Sequence, residues 1–398
     1  MISSNTIISA ALVASTAFST VHAAALVDRK LDLKTSLFAP TNYSVVSDIF
    51  IQDSPTFNAT DYNALNASFG LIDQSKDRWR NFQKKIHQLN QESDDLTSYK
   101  VIYMARHGEG YHNQAQAFYG DAAWDCFFSQ LNTDGNQTWG PDAHLTPAGI
   151  LQAEAVNAAW KNESKWDIPL PQVLYSSPMT RSMDTLNITW HDILLNKGYV
   201  PQVKENWRET IGLHTCDKRS NKTAIAARHP GWDIEPSFTE QDQLWNPVYE
   251  ETRVIQALRI QQMLNNIFAT DDSTYISITA HSGVITAFFT AINHQAFHVQ
   301  TGGVVPVVIK AVGHKNATQA LITGGQSATA PKCTANPTTA VRSPATITVP
   351  VTWYPPSATS SASAVASAAS VPASVSASTS TVKISSFTSA ATATATKV

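Results

Sequence analysis

Short apolar runs that stop abruptly at loop-forming residues recur three times along this chain. Val101-Ile-Tyr-Met-Ala105 stops at Arg106-His107-Gly108, Val173-Leu-Tyr175 at Ser176-Ser177-Pro178, and Tyr275-Ile-Ser-Ile-Thr-Ala280 at His281-Ser282-Gly283. Runs this short, bounded by loop residues, predict strands buried on both faces. Helical patterns lie between them. Thr146 is placed to cap a helix with Pro147 at its first position, running to about Trp160. A second helix is expected from about Glu251 to Phe268, where Val254, Ile255, Leu258, Leu264 and Ile267 recur at helical spacing. Strands alternating with helices predict an α/β fold, a three-layer α/β/α sandwich with a mostly parallel sheet. In such sheets ligands bind beyond the carboxyl ends of the strands, which is where both His107 and His281 fall.

The pattern also divides the chain. Residues 1–23 read as a signal peptide: an apolar, small-residue stretch from Ile7 to Phe18 precedes Val21-His22-Ala23, although Lys and Arg are missing before it. Residues 24–98 are mixed, with Trp79 and a basic Lys84-Lys85 pair. They are expected to pack on the core as an extension, helical from about Gln74 to Asn90. The core itself is expected over 99–325. A linker over 326–356 leads to a Ser-, Ala- and Thr-rich tail, 357–398. That tail is nearly free of charge and too poor in large apolar side chains to offset the entropy of ordering. It reads as an O-glycosylated stalk.

Composition narrows the class. The 398 residues are 43% hydrophobic and 15% charged, with a formal net charge of -3, as in a globular enzyme. Nothing points to a nucleic-acid partner, and after processing no run is long enough to span a membrane. Sequons begin at Asn42, Asn58, Asn66, Asn136, Asn162, Asn187, Asn221 and Asn316. With the leader they predict a glycosylated protein, secreted or held at the cell surface or wall. Three cysteines, Cys126, Cys216 and Cys333, allow one bridge and one thiol, with Cys126–Cys216 the preferred pair. No CxxC or His/Cys spacing suggests a metal, and no cofactor is expected.

Four clusters carry candidate chemistry. A neutral, fixed histidine is a phosphoryl nucleophile, and His107 has Arg106 beside it to fork onto phosphoryl oxygens. Gly108 allows close backbone approach, and Asn113 offers an amide donor. Arg181, in Ser176-Ser-Pro-Met-Thr-Arg181, falls in the first turn of a helix that follows a strand, where backbone donors favour anions. Alone, it reads as a surface arginine. His281, if protonated, would add charge across a phosphoryl group from His107. In Trp207-Arg208-Glu209-Thr210, Glu209 is the candidate acid for a leaving alkoxide, with Glu205 and Asp233 left as alternatives.

Together these residues resemble the phosphoglycerate mutase-like branch of the histidine phosphatase superfamily. Arg106-His107-Gly108-Glu109 with Asn113 looks like its Arg-His-Gly-Glu-x-x-x-Asn signature. Leu145-Thr-x-x-Gly149-x-x-Gln152-Ala153, Ser177-Pro178 through Arg181, and His281-Ser-Gly283 resemble its later elements. Arg208-Glu209-x-x-Gly212-x-His214-x-Cys216-Asp217-Lys218-Arg219, followed by Asp242-x-x-Leu244-Trp245, is similar to fungal and plant phosphoglycerate mutase-like proteins and the yeast phosphomutase-like group. The resemblance implies a phosphohistidine on His107. It also implies a phosphate pocket of Arg106, Arg181 and His281 supported by Asn113, Glu209 as acid then base, and no metal. The Arg-His-Gly-x-Arg-x-Pro pattern of acid phosphatases and phytases is absent. A phosphomonoesterase acting on a small phosphorylated substrate is the expected function. A phosphomutase and a catalytically inactive, glycosylated surface protein are the alternatives. Substrate choice is expected to come from two insertions, Tyr111 to Trp139 and His214 to Trp245.

Overall fold

The computed structural model describes residues 38–59, 65, 67–315 and 327–337. The leader, the tail and the sequons at Asn66 and Asn316 lie outside these residues. In chain order the principal elements are β1 (Phe38–Val45), α1 (Arg78–Gln91), β2 (Thr97–Arg106), α2 (Tyr111–Tyr119), α3 (Asp121–Cys126), α4 (Pro147–Ser164), β3 (Val173–Ser176), α5 (Thr180–Trp190), β4 (Gln202–Val203), α6 (Lys222–Arg228), β5 (Asp233–Ile234), β6 (Tyr249–Glu251), α7 (Arg253–Thr270), β7 (Tyr275–Ala280), α8 (Ser282–Ala291), β8 (Val304–Lys315) and β9 (Ser327–Thr329).

Seven strands form one sheet in the order β1-β8-β2-β7-β3-β4-β5. The run from β2 to β5 is parallel, and β8 and β1 add antiparallel pairings at one side. Alternate residues of each strand face opposite layers, as the pleat requires. Val101 and Tyr103 of β2 pack with Trp79 and Phe82 of α1, Trp160 of α4 and Trp190 of α5. Ile102 and Met104 pack on the other face with Ile260 and Leu264 of α7 and Phe288 of α8. The sheet is thus buried between two helical layers, the three-layer sandwich that the sequence predicts.

The expected strands and helices are found, with ends shifted by a few residues. Thr146 accepts from the Gly149 amide with Pro147 in the first turn, and Thr252 caps α7 in the same way. β8 was not expected, because Pro306 interrupts its apolar run. Proline is accommodated since the β1 ladder ends at Val45↔Ile309, so no strand on that side needs the missing N–H.

Two expectations about the flanks change. The extension is built into the core: β1 joins the main sheet, and on α1 the Arg78 guanidinium and the Trp79 indole both donate to the buried carboxylate of Glu163 on α4. Part of the expected linker is also structured, since β9 pairs antiparallel with β6. That pairing carries Cys333 to Cys126, and those two form the disulfide. The Cys126–Cys216 pairing is therefore overturned. Cys216 is a free, buried thiol among the side chains of the Tyr111–Trp139 insertion, where Trp124, Phe128 and Trp139 form a small core of their own.

Candidate active site

The parallel register fixes the middle of the site. β2 and β7 run side by side with Arg106 opposite Ala280, so His107 and His281 leave the sheet as neighbours. Their rings lie 5.0 Å apart between centroids. The His107 amide donates to Ala280 O, and the Ser177 amide beyond β3 donates to Thr279 O. Three strand ends thus deliver Arg106-His107, Ser177 and His281 to one place.

His107 is held as a neutral base. Burial, then the charges of Arg181 and Arg106, push its pKa well below the ordinary histidine value. Its Nδ1 lies 2.6 Å from Gly108 O, an acceptor only, so Nδ1 carries the proton. The Nε2 lone pair then faces Arg181, whose Nε–H donates to it over 3.3 Å. That leaves an unprotonated ring nitrogen aimed at a buried guanidinium. Gly108 is needed for a different close approach from the one expected: a Cβ there would stand 2.2 Å from Gly149 O, at the start of α4. The His107 loop is further held by Thr185 Oγ1, which accepts from Gly108 N, and by Gln152, which accepts from Glu109 N.

The two arginines are set differently. Arg106 donates to Val299 O at 2.8 Å and to His298 Nε2 at 3.2 Å, while its Nε finds no hydrogen-bond partner among the described residues. Burial lowers its pKa to about 10, so it keeps its charge at neutral pH. Arg181 is not the surface residue its sequence context suggests. It is fully buried, donating from Nη2 to Asp217 at 2.6 Å and from Nη1 to Cys216 O at 2.8 Å. Burial alone would lower its pKa, but Asp217, Cys216 and Asp142 together outweigh it and the net shift is upward. The N-terminus of α5 is steadied from outside by Asp142, which accepts from the amide and hydroxyl of Thr180 and from Ser220.

His281 differs from its expected charged form. Burial and the charge of Arg181 drive its pKa well below the ordinary value, so it is neutral in the free protein. Its Nε2 is 2.7 Å from Ser177 Oγ and 3.2 Å from Ser182 Oγ, and its buried Nδ1 has no partner among the described residues. With Nε2 accepting from serine, Nδ1–H is a neutral donor suited to a phosphoryl oxygen. Asn113 serves the loop: its Oδ1 accepts from Gly110 N.

Of the three candidate carboxylates, Glu209 is the one that lies beside His281. Gly283 N, two residues past His281, donates to its Oε2 at 3.0 Å, with Ser282 Oγ and Gln256 Nε2 at 3.4 Å from the carboxylate. It is also close enough to Arg106 to raise that group's pKa. Glu205 is consumed by Arg208 and Arg219, and Asp233 is exposed on β5. The same network ties the residues of the Arg208-to-Trp245 pattern into one unit. Arg208 donates to Glu205, to Asp242 and to Asp217 O, while Asp242 also accepts from the amides of Arg219, Leu244 and Trp245. This buried lattice fixes the backbone that holds Asp217 against Arg181.

Sequence reasoning missed two residues at the site. His112, buried with its ring 5.4 Å from that of His107, is also held neutral, first by burial. Its signal was the second histidine in the same motif. Asp217 lay in the quoted pattern without a role. Nor did spacing suggest a metal site, yet the short helical turn Thr215–Asp217 brings His214, Cys216 and Asp217 donor atoms within 4.8 Å of one another.

Comparison with known proteins agrees with this geometry. The model of the histidine phosphatase superfamily (branch 1) matches residues 102–302. A probable phosphoglycerate mutase of Arthroderma benhamiae is 40% identical over 283 residues, covering 68% of this chain and 84% of that one. Phosphomutase-like protein 3 of Candida albicans is 30% identical over 279 residues, covering 70% and 82%. A probable phosphoglycerate mutase of Saccharomyces cerevisiae is 31% identical over 252 residues, covering 58% and 85%.

Proposed function

Because this chain belongs to branch 1 of the histidine phosphatase superfamily, we propose that it hydrolyses small phosphate monoesters through a phosphohistidine on His107. One observation carries the reading: a fully buried, neutral His107 whose Nε2 lone pair faces the Arg181 guanidinium. Nε2 attacks phosphorus and the ester P–O bond breaks. Arg106, Arg181 and His281 Nδ1–H hold the phosphoryl oxygens, which suits the unpartnered Arg106 Nε and His281 Nδ1. Glu209 gives its proton to the leaving oxygen. Its carboxylate then takes a proton from water, which attacks phosphorus, breaks the P–N bond and restores neutral His107 as phosphate departs.

Two variants test this on turnover of an aryl phosphate. His107→Ala is expected to be inactive, and activity equal to the parent would sink the nucleophile assignment. Glu209→Gln is expected to slow alkyl phosphates by about 10²–10⁴-fold and activated aryl phosphates far less. A uniform loss across leaving groups would remove its acid role.

A phosphomutase is the second reading, favoured by the names of the relatives. Transfer of labelled phosphate between positions of a phosphoglycerate, at a rate near that of hydrolysis, would establish it. The proposal also places the enzyme outside the cytosol, where a Cys126–Cys333 disulfide persists. A native host culture should then yield glycosylated protein starting after Ala23, and an uncleaved cytosolic form would contradict that.

A further inference from the structure

The wall of the pocket that carries Arg181 has donor groups the reaction does not use. His214, Cys216 and Asp217 each present one donor atom, nitrogen, sulfur and oxygen, and all three atoms lie within 4.8 Å of one another. Cys216 and Asp217 are buried, whereas His214 is half-buried and gives a way in from solvent. The turn that assembles them is tightly defined. Gly212 and Leu213 both have positive φ, +113° and 51°, and the Asp217 amide donates to His214 O. Trp245 Nε1 holds the same carbonyl at 2.9 Å. Asp217 commits Oδ1 to Arg181 and its carboxylate also meets the Cys216 thiol, a hydrogen bond that a metal between the two would replace. Asp125 and Glu250 lie near enough to interact electrostatically with His214, and the Arg181 guanidinium on Asp217 is the opposing charge.

We propose that His214, Cys216 and Asp217 form a binding site for a zinc-class divalent metal. The donor set is one imidazole, one thiolate and one carboxylate, a mixture that zinc and cobalt accept and magnesium does not. Bonds of about 2.0–2.3 Å put tetrahedral donors on the order of 3.5 Å apart, so the three groups must draw together by about 1 Å. The half-buried His214 can supply that movement. On binding, the Cys216 S–H bond breaks, its proton leaves to solvent and the sulfur–metal bond forms. The fourth position is left for water or for Glu250. Asp217 would then bridge the metal and Arg181, so metal and phosphate would influence one another through that carboxylate.

The chain is well suited to a direct test. Of its three cysteines, Cys126 and Cys333 are joined, so Cys216 is the one thiol. Titration of the full-length, disulfide-intact protein with Co²⁺ alone should give a near-ultraviolet thiolate-to-cobalt charge-transfer band that saturates at one equivalent. Cys216→Ser should abolish the band. His214→Ala should weaken Co²⁺ binding about 10–100-fold, the usual cost of disturbing a metal site, with circular dichroism confirming its fold. No band in the parent protein overturns the site, and so does a band of undiminished affinity in His214→Ala. As a second arm, Zn²⁺ should alter aryl phosphate turnover in the parent and not in His214→Ala. An equal zinc effect in both would place the metal on the pocket histidines instead. The cobalt result does not depend on catalysis, so failure of the hydrolase reading would leave it standing.

Discussion

The two walls of the pocket are built by different means. The histidine wall, with His107, Ser177 and His281, is delivered by three parallel strand ends whose register sets the spacing through backbone hydrogen bonds. The arginine wall places Arg181 at the start of α5, and Asp217 and Cys216 in a turn between β4 and α6. It is held by buried ion pairs among Arg208, Glu205, Asp242 and Arg219, all drawn from the loops between β4 and β6. Backbone register tolerates side-chain changes, because the ladder does not depend on them. A buried charge network does not, because removing one partner leaves its mate charged and desolvated.

Substitutions can break this comparison. His107→Asn should reduce turnover by at least about 10⁴-fold while the thermal midpoint moves little, since the strands still place the backbone. A matching collapse in stability would remove the distinction between the walls. Asp217→Ala should do both kinds of damage: kcat/KM for an aryl phosphate falling about 10²–10³-fold, and stability falling by about 3–5 kcal/mol because Arg181 is left unpaired in the interior. Denaturant unfolding that shows no loss would mean solvent reaches Arg181. The Cys126→Ser/Cys333→Ser double variant should lose about 2–4 kcal/mol of stability and keep the kcat of the parent, as the bridge touches neither wall's reacting groups.

The smallest effect per residue is a pH dependence of the buried histidines. His107, His112 and His281 have folded-state pKa values depressed below the unfolded value, in each case chiefly by burial. Below about pH 6.5 the unfolded chain takes up protons that the folded protein refuses, so stability is fully present above that pH and declines as pH falls. Each histidine contributes a slope of up to about 1.4 kcal/mol per pH unit. Denaturation midpoints between pH 7.5 and 5.5 should fall, and His112→Asn should make the fall shallower by one histidine's share. An unchanged slope would mean His112 is protonated in the folded state.

What was legible in the sequence follows this division. Val101–Ala105 and Tyr275–Ala280 announced buried strands by their unbroken apolar character, and a strand that stops at His107 or His281 delivers it to the carboxyl edge of a parallel sheet. Local pattern and sheet physics were enough to give the three-layer fold, the helix beginning at Thr146 and the histidine pair. Residue pattern alone left Arg181 a helix-start residue and Glu209 no better placed than Glu205; the family resemblance implied both as site residues, and neither route paired Cys126 with Cys333. Each of those depends on which distant segment arrives opposite: Asp217 against Arg181, two arginines on Glu205, and β9 beside β6. Contacts between residues far apart in the chain leave no periodicity to read, because they are fixed by packing and by the cost of burying an unpaired charge. Only the tertiary structure could decide them.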